Sequence, residues 1–138
     1  MIHVQLSTSP FDAHQAFAFV HSVHCGAIDT FIGTVRQQTN GRTVQHLEYE
    51  AYEPMAQQQM YALCQEAQER WSVHALYLQH RVGIVLPGEI AVVAAVSALH
   101  RREAFAACHF IIDTLKRCVP IWKKEVFDDG ELWVMPNT

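Results

Sequence analysis

Residues 89–99, EIAVVAAVSAL, contain an unbroken run from Ile90 to Ala98 in which Ser97 is the only polar residue. A strand this apolar has no face that can remain in water, so both of its sides must be covered by other elements. The run is also far shorter than the roughly 18 residues a membrane-crossing helix requires. The rest of the chain must therefore supply a sheet with this strand at its centre and cover for both of its faces.

The neighbouring segments have the periodicities for that task. IHVQL at residues 2–6 alternates like a half-buried strand. In SPFDAHQAFAFVHS, residues 9–22, Phe11, Ala16, Phe19 and Val20 recur at near-helical spacing, and Ser9 as cap followed by Pro10 predicts a helix starting there. Residues 25–38 read as one long strand ending at TNGR, with Asn40-Gly41 as the hairpin turn into VQHLEYEAY. From Glu53 to Trp71, the spacing of Ala56, Met60, Leu63, Cys64, Ala67 and Trp71 predicts an amphipathic helix, with packing as the role of its methionines and Tyr61. VHALYLQHRVG is a further strand, joined by IVLPGE to the apolar run. Residues 101–119 then place Ala104, Cys108, Ile111, Ile112, Leu115 and Val119 on one helical stripe that Pro120 terminates. IWKKEVFDDGELWVMPNT reads as a hairpin around Asp129-Gly130. The fold class expected is α+β: one domain over residues 1–138, a mixed, largely antiparallel sheet with packed helices.

Composition narrows the function. Half the residues are hydrophobic and 17% are charged, which excludes the composition of a disordered chain. A net charge of −4 leaves no overall positive field to attract nucleic acid or an anionic membrane, so neither is an expected partner. The N-terminal residues lack the basic start and apolar run of a signal peptide, and a cytoplasmic protein is expected. Cys25, Cys64, Cys108 and Cys118 form no C-x-x-C pair, and the nine histidines form no H-x-x-x-H pair. Free, packed thiols and no metal or cofactor are expected.

The basic residues are unevenly placed. Arg36, Arg101, Arg102, Lys116, Arg117, Lys123 and Lys124 cluster at element ends, while Arg42, Arg70 and Arg81 lie apart. Helix ends and strand edges carry cations for ordinary reasons, which suffice for Arg102, Arg117 and one of the two adjacent lysines. Arg101 does not fit, because the start of a helix repels a cation and attracts an anion; with His100 it marks a candidate anion site. Period-two alternation sends Lys123 and Lys124 to opposite faces of their strand. One of them can face a pocket, where burial and a second cation such as Lys116 would lower its pKa and suit it to proton transfer. The pattern leaves open which one.

The blocks GAIDTFIGTVR, LEYEAYEPMA, HRVGIVLPGE, VSALHRREAF and DTLKRCVPIWKKE resemble, in this order, the catalytic large subunit of molybdopterin synthase; the resemblance spans residues 25–133. It implies an α/β-hammerhead-like fold and a sulfurtransferase. In that family a small ubiquitin-like partner carries sulfur as a thiocarboxylate on its C-terminal Gly-Gly. The large subunit transfers two sulfurs to cyclic pyranopterin monophosphate, forming the dithiolene of molybdopterin, and works as a homodimer within a heterotetramer. By resemblance, Thr34, Val35, Arg36, His100 and Arg101 bind substrate or anion. Lys116, Lys123, Lys124 and Glu125 line the reaction site, with Lys116 and Lys123 as the catalytic pair. After Trp133 this chain has only VMPNT where longer members continue with charged residues, so no basic ligand is assigned to the tail. The chain does not end in Gly-Gly and is not expected to be the carrier.

Two rivals remain. A non-catalytic phosphate-binding or carrier-docking module could use the same cations. A persulfide sulfurtransferase would need a thiolate at Cys108 or Cys118, activated by nearby cations. If residues 101–116 form one helix, a rise of about 1.5 Å per residue puts Arg101 some 22 Å from Lys116. If both nevertheless serve one pocket, the simplest solution is a two-fold dimer in which one subunit's helix start meets the other's helix end.

Overall fold

In a computed structural model, which describes residues 1–134, the chain folds as α+β. The order is β1 (Ile2–Ser7), α1 (His14–Val20), β2 (Ala27–Thr34), β3 (Gln38–Thr39), β4 (Arg42–Ala51), α2 (Glu53–Arg70), β5 (Val73–Arg81), β6 (Gly83–Val85), β7 (Ile90–Ala98), α3 (Arg101–Cys118), β8 (Ile121–Phe127) and β9 (Gly130–Val134). The expected tail beyond Val134 lies outside the described residues.

The apolar run is β7, and it lies inside a four-stranded sheet of order β1-β5-β7-β2. Alternate residues serve opposite covers. Val92, Ala94 and Val96 join the core beneath α2 and α3, against Met60, Cys64, Ala107, Cys108 and Ile111. Val93 and Ala95 pack with Ala75 and Tyr77 against Ala16 and Val20 of α1. Ile111 is fully buried, and truncating it to Ala would cost about 2–5 kcal/mol through lost burial and the cavity left behind. β1 pairs parallel with β5, and every other strand pairing is antiparallel.

The single mixed sheet expected is two. A second, five-stranded sheet has the order β3-β4-β8-β9, with β6 also paired to β4. Val44, Leu47 and Phe127 on its inner face meet Val35, Val85 and Ala91. The segment read as a connector, IVLPGE, supplies most of β6, and this short strand carries the chain from one sheet to the other. The long strand expected over residues 25–38 breaks for the same reason. After a bulge between Gly33 and Thr34, the Val35 N–H turns to the Glu89 carbonyl at 3.1 Å, and Gln38–Thr39 joins the second sheet. Gly33 is required at the break: a Cβ there would lie 2.8 Å from Val92 Cγ1.

Local signals at the helix starts were weaker than those at the turns. α1 begins at His14, not after Ser9; the Asp12 carboxylate accepts the His14 N–H at 2.9 Å, and Ser9 and Pro10 precede the helix in the loop. Tyr61 and Met55 face solvent on α2, so the packing role expected of them falls to Met60. Asn40 and Gly41 both take positive φ, 51° and 78°, as a two-residue hairpin turn needs. The Asp129-Gly130 hairpin joins β8 to β9.

Candidate active site

The two sheets diverge where β2 breaks, and the C-terminal turn of α3 closes the gap. The result is a cavity of about 320 Å³ lined by Thr34, Arg36, Tyr49, His80, Lys116 and Lys123, with apolar walls from Phe31, Leu115 and Ile121. Its polar residues come from distant parts of the chain. β2 and its bulge deliver Thr34 and Arg36, β4 delivers Tyr49, β5 delivers His80, the last turn of α3 delivers Lys116 and β8 delivers Lys123.

The alternation of β8 separates the two lysines. Lys123 stands opposite Tyr49 of β4 and faces the cavity. Lys124 stands opposite Glu48 on the other face, with Nζ 3.0 Å from Glu48 Oε2, 3.7 Å from Glu131 Oε2 and 5.4 Å from the centre of the Trp133 ring. The hydrogen bond to Glu48 pushes the Lys124 pKa up, whereas burial pushes that of Lys123 down. Lys116 and Arg36 add to the depression at Lys123, and Glu125 opposes it. Lys123 is therefore the better proton donor of the two, since its ammonium is already destabilised.

Glu125 shares the inward face with Lys123 and is 7% exposed, but it does not line the cavity; its Oε2 is buried without a hydrogen-bond partner among the described residues. Val35 does not line it either. Its side chain is 4% exposed within the core of the second sheet, between Thr34 and Arg36, which do reach the cavity. His100 caps α3 and Arg101 opens it, both exposed, and neither lines the cavity. α3 is continuous from Arg101 to Cys118, so about 22 Å of helix separates Arg101 from Lys116.

Tyr49 and His80 lie in the cavity with no role assigned to them from sequence. His80 Nδ1 donates to the Arg81 carbonyl at 2.6 Å, and Tyr49 meets the imidazole edge-on with ring centres 4.9 Å apart. Burial drives the His80 pKa down to about 4, against that hydrogen bond and with help from Lys116 and Lys123, so the ring is neutral at neutral pH. Burial, reinforced by Glu125, raises Tyr49 to about 12 and keeps its phenol protonated. The signal in the sequence was the run Gln79-His80-Arg81 directly after the apolar ALYL of the same strand, where polar side chains continuing a buried strand need a reason to be buried.

The thiols are less uniform than expected. Cys64 and Cys108 are buried and their pKa values are pushed up to about 12 by burial, whereas Cys25 is half-buried and Cys118 is exposed. Among the described residues, no group of three or more His, Cys, Asp or Glu side chains is arranged to hold a metal ion, and no helix is long and apolar enough to cross a membrane. The cavity thus presents three cations, a hydroxyl, a phenol and a neutral imidazole. Such a set can hold an anion, stabilise developing negative charge and supply a proton.

Known proteins share both sequence and fold. The sequence model described as MoaE protein matches residues 6–118. The molybdopterin synthase catalytic subunit of Bacillus subtilis is 43% identical over 134 residues, which covers 97% of this chain and 85% of that one. The crystal structure of molybdopterin synthase from Staphylococcus aureus superposes with a TM-score of 0.89 at 37% identity, covering 94% of each chain. A Helicobacter pylori structure, a protein-protein complex of subunits 1 and 2 of molybdopterin-converting factor, shares the fold with a TM-score of 0.77 at 22% identity, covering 98% of this chain and 92% of that one. The chain belongs to the MoaE protein family, that of the molybdopterin synthase catalytic subunits.

Proposed function

We propose that the chain transfers sulfur from the C-terminal thiocarboxylate of a small ubiquitin-like carrier to cyclic pyranopterin monophosphate, producing the dithiolene of molybdopterin. The observation that carries this reading is the convergence of Arg36, Lys116 and Lys123 on one cavity with Thr34 beside them. Substrate phosphate and attacking thiocarboxylate are both anions, so a site of this charge can hold them together and stabilise the charge that develops as the phosphate ester opens. Lys123, with its depressed pKa, is the residue to protonate the leaving oxygen, and Lys116 the residue to stabilise charge. The two-subunit composition of the Helicobacter pylori complex is a precedent for a carrier partner.

His100 and Arg101 enter the reading through a second copy of the chain. Among the described residues β2 is an edge strand, without Lys or Pro to guard it. Its start is tied to the end of β7, because Ala27 pairs with Ala98 and the Gly26 N–H donates to the Leu99 carbonyl at 3.3 Å; its other end, Thr34, reaches the cavity. The seven steps from Ala27 to Thr34 span about 23 Å, close to the roughly 22 Å from Arg101 to Lys116 along α3. A two-fold axis through the middle of β2 would bring the helix start of each copy to the cavity of the other. Phe31, Ile32, Leu99 and Phe105, 37–63% exposed, supply apolar surface for such a contact. Two carriers on that homodimer make a heterotetramer. The free thiols fit a reducing compartment such as the cytoplasm.

The competing reading is a phosphate-binding or docking module without catalysis. The two separate in a reconstituted assay with thiocarboxylated carrier and cyclic pyranopterin monophosphate. Catalysis requires Lys123→Ala to lower kcat far more than it weakens substrate binding; a binding module would lose affinity and have no turnover to lose.

A further inference from the structure

Arg81, the last residue of β5, is 3% exposed. A buried guanidinium is tolerated where its charge and donors are answered. Here Nη2 donates to the Ile84 carbonyl at 2.7 Å, and Nη1 lies 3.6 Å from Glu89 Oε1. Glu89 Oε1 in turn accepts the Leu86 N–H at 2.8 Å. One cation and one carboxylate thus tie together both ends of the segment 82–89, which turns through positive φ at Gly83 and Gly88.

That segment grips the chain at the edge of the cavity. Val35 donates its N–H to the Glu89 carbonyl at 3.1 Å and accepts the Gly88 N–H on its own carbonyl at 2.8 Å. Both backbone groups of Val35 are therefore fixed by residues that Arg81 and Glu89 hold in place. Thr34 and Arg36, on either side, line the cavity.

We propose that Arg81 is a positioning residue: through Glu89 and the segment 82–89 it fixes the backbone at Val35 and so the direction in which Arg36 enters the anion site. The relevance of that direction to turnover rests on the functional reading above. The hydrogen bonding itself argues against a purely stabilising role. Arg81 Nε and Nη1 are buried without a hydrogen-bond partner among the described residues, and a guanidinium left this incomplete gives little stability over an apolar side chain of similar length. What it does supply is a forked contact to two points of one loop, a geometry that neither Met nor Lys reproduces.

The test uses Arg81→Met, Arg81→Lys and Glu89→Gln in the full chain, each confirmed as folded by its circular dichroism. Amide hydrogen exchange reports the positioning directly. In Arg81→Met and Glu89→Gln, exchange at Val35 and Gly88 should accelerate by about tenfold or more while Val93 in β7 is unchanged, with Arg81→Lys intermediate. Steady-state kinetics with carrier and cyclic pyranopterin monophosphate form the second arm. Arg81→Met should raise KM by about tenfold in the wild-type background and by less than about twofold when Arg36 is already Ala, because the two changes remove the same interaction. Unchanged Val35 exchange in folded Arg81→Met overturns the proposal, as does an undiminished KM effect in the Arg36→Ala background. If the wild-type chain shows no turnover, the functional reading fails, and Val35 exchange together with the same Arg36–Arg81 cycle measured on inorganic phosphate binding still decides the positioning role.

Discussion

Lys123 and Lys124 are consecutive on β8 and share no environment: Lys123 faces the cavity opposite Tyr49, and Lys124 is paired on the reverse face with Glu48 at 3.0 Å. Burial lowers the pKa of the first, and the carboxylate raises that of the second. The paired lysines Lys123 and Lys124 thus divide into a cavity residue and a half-buried ion pair on the reverse face.

Their variants should diverge accordingly. Lys123→Ala is expected to reduce kcat by roughly a hundredfold or more, the scale for a positioned acid. Lys124→Ala should leave kcat within about twofold, since the half-buried Lys124 points away from the cavity on the reverse face of β8. Lys123→Met should also raise the thermal midpoint, because it relieves a partly buried ammonium. Thermal denaturation and steady-state kinetics on the same three preparations check all of this.

His80 makes stability pH-dependent. Its pKa is 6.5 in the unfolded reference and about 4 in the fold, so the unfolded chain binds the extra proton between those values. Stability conferred by the neutral ring is complete above pH 6.5 and declines as pH falls toward 4, by roughly 3 kcal/mol in total. Denaturant midpoints measured from pH 7.5 to 4.5 should fall for the wild-type chain and fall less for His80→Gln. Identical slopes would show that His80 titrates normally.

The shared-site reading predicts complementation. Arg101→Ala and Lys116→Ala homodimers should both be inactive, and a mixture allowed to exchange should regain turnover at the one site of each heterodimer that combines intact parts. Native mass spectrometry confirms exchange. Heterodimers that form and stay inactive would place these cations in separate roles.

No thiol of the chain is needed if sulfur arrives on the carrier. A variant with Cys64→Ala, Cys108→Ala, Cys25→Ser and Cys118→Ser should retain carrier-dependent turnover within a few fold. The pKa of about 12 at Cys64 and Cys108 already makes both poor nucleophiles. Loss of turnover in the folded variant would restore the persulfide route through Cys118.

What the sequence disclosed depended on the range of the interaction. β7, α2, α3 and the two hairpin turns were legible because burial on both faces, helical spacing and Asn40-Gly41 or Asp129-Gly130 act within a few residues. The break of the 25–38 strand and the crossing of β6 depend on Val35 meeting Glu89 and Val85 meeting Leu47, pairings between segments that no local window contains. The same division runs through the site. Alternation split Lys123 from Lys124, but only the packing of β8 beside β4 and α3 decided which faced the cavity. Tyr49 was hidden because an aromatic at an inward position of an alternating strand reads as core, and the polar end of β5 flagged His80 as unusual without showing the cavity beside it.

The central claim is that this cavity joins carrier-borne sulfur to a pterin phosphate. The most direct measurement supplies purified chain with a carrier whose thiocarboxylate sulfur is isotopically labelled, adds cyclic pyranopterin monophosphate, and follows labelled dithiolene by mass spectrometry. The account predicts two labelled sulfurs in each product, two carriers consumed per product, and no product when the chain is omitted or Lys123 is Ala. Unlabelled product, or a folded chain that binds carrier and substrate yet forms no dithiolene, would contradict it.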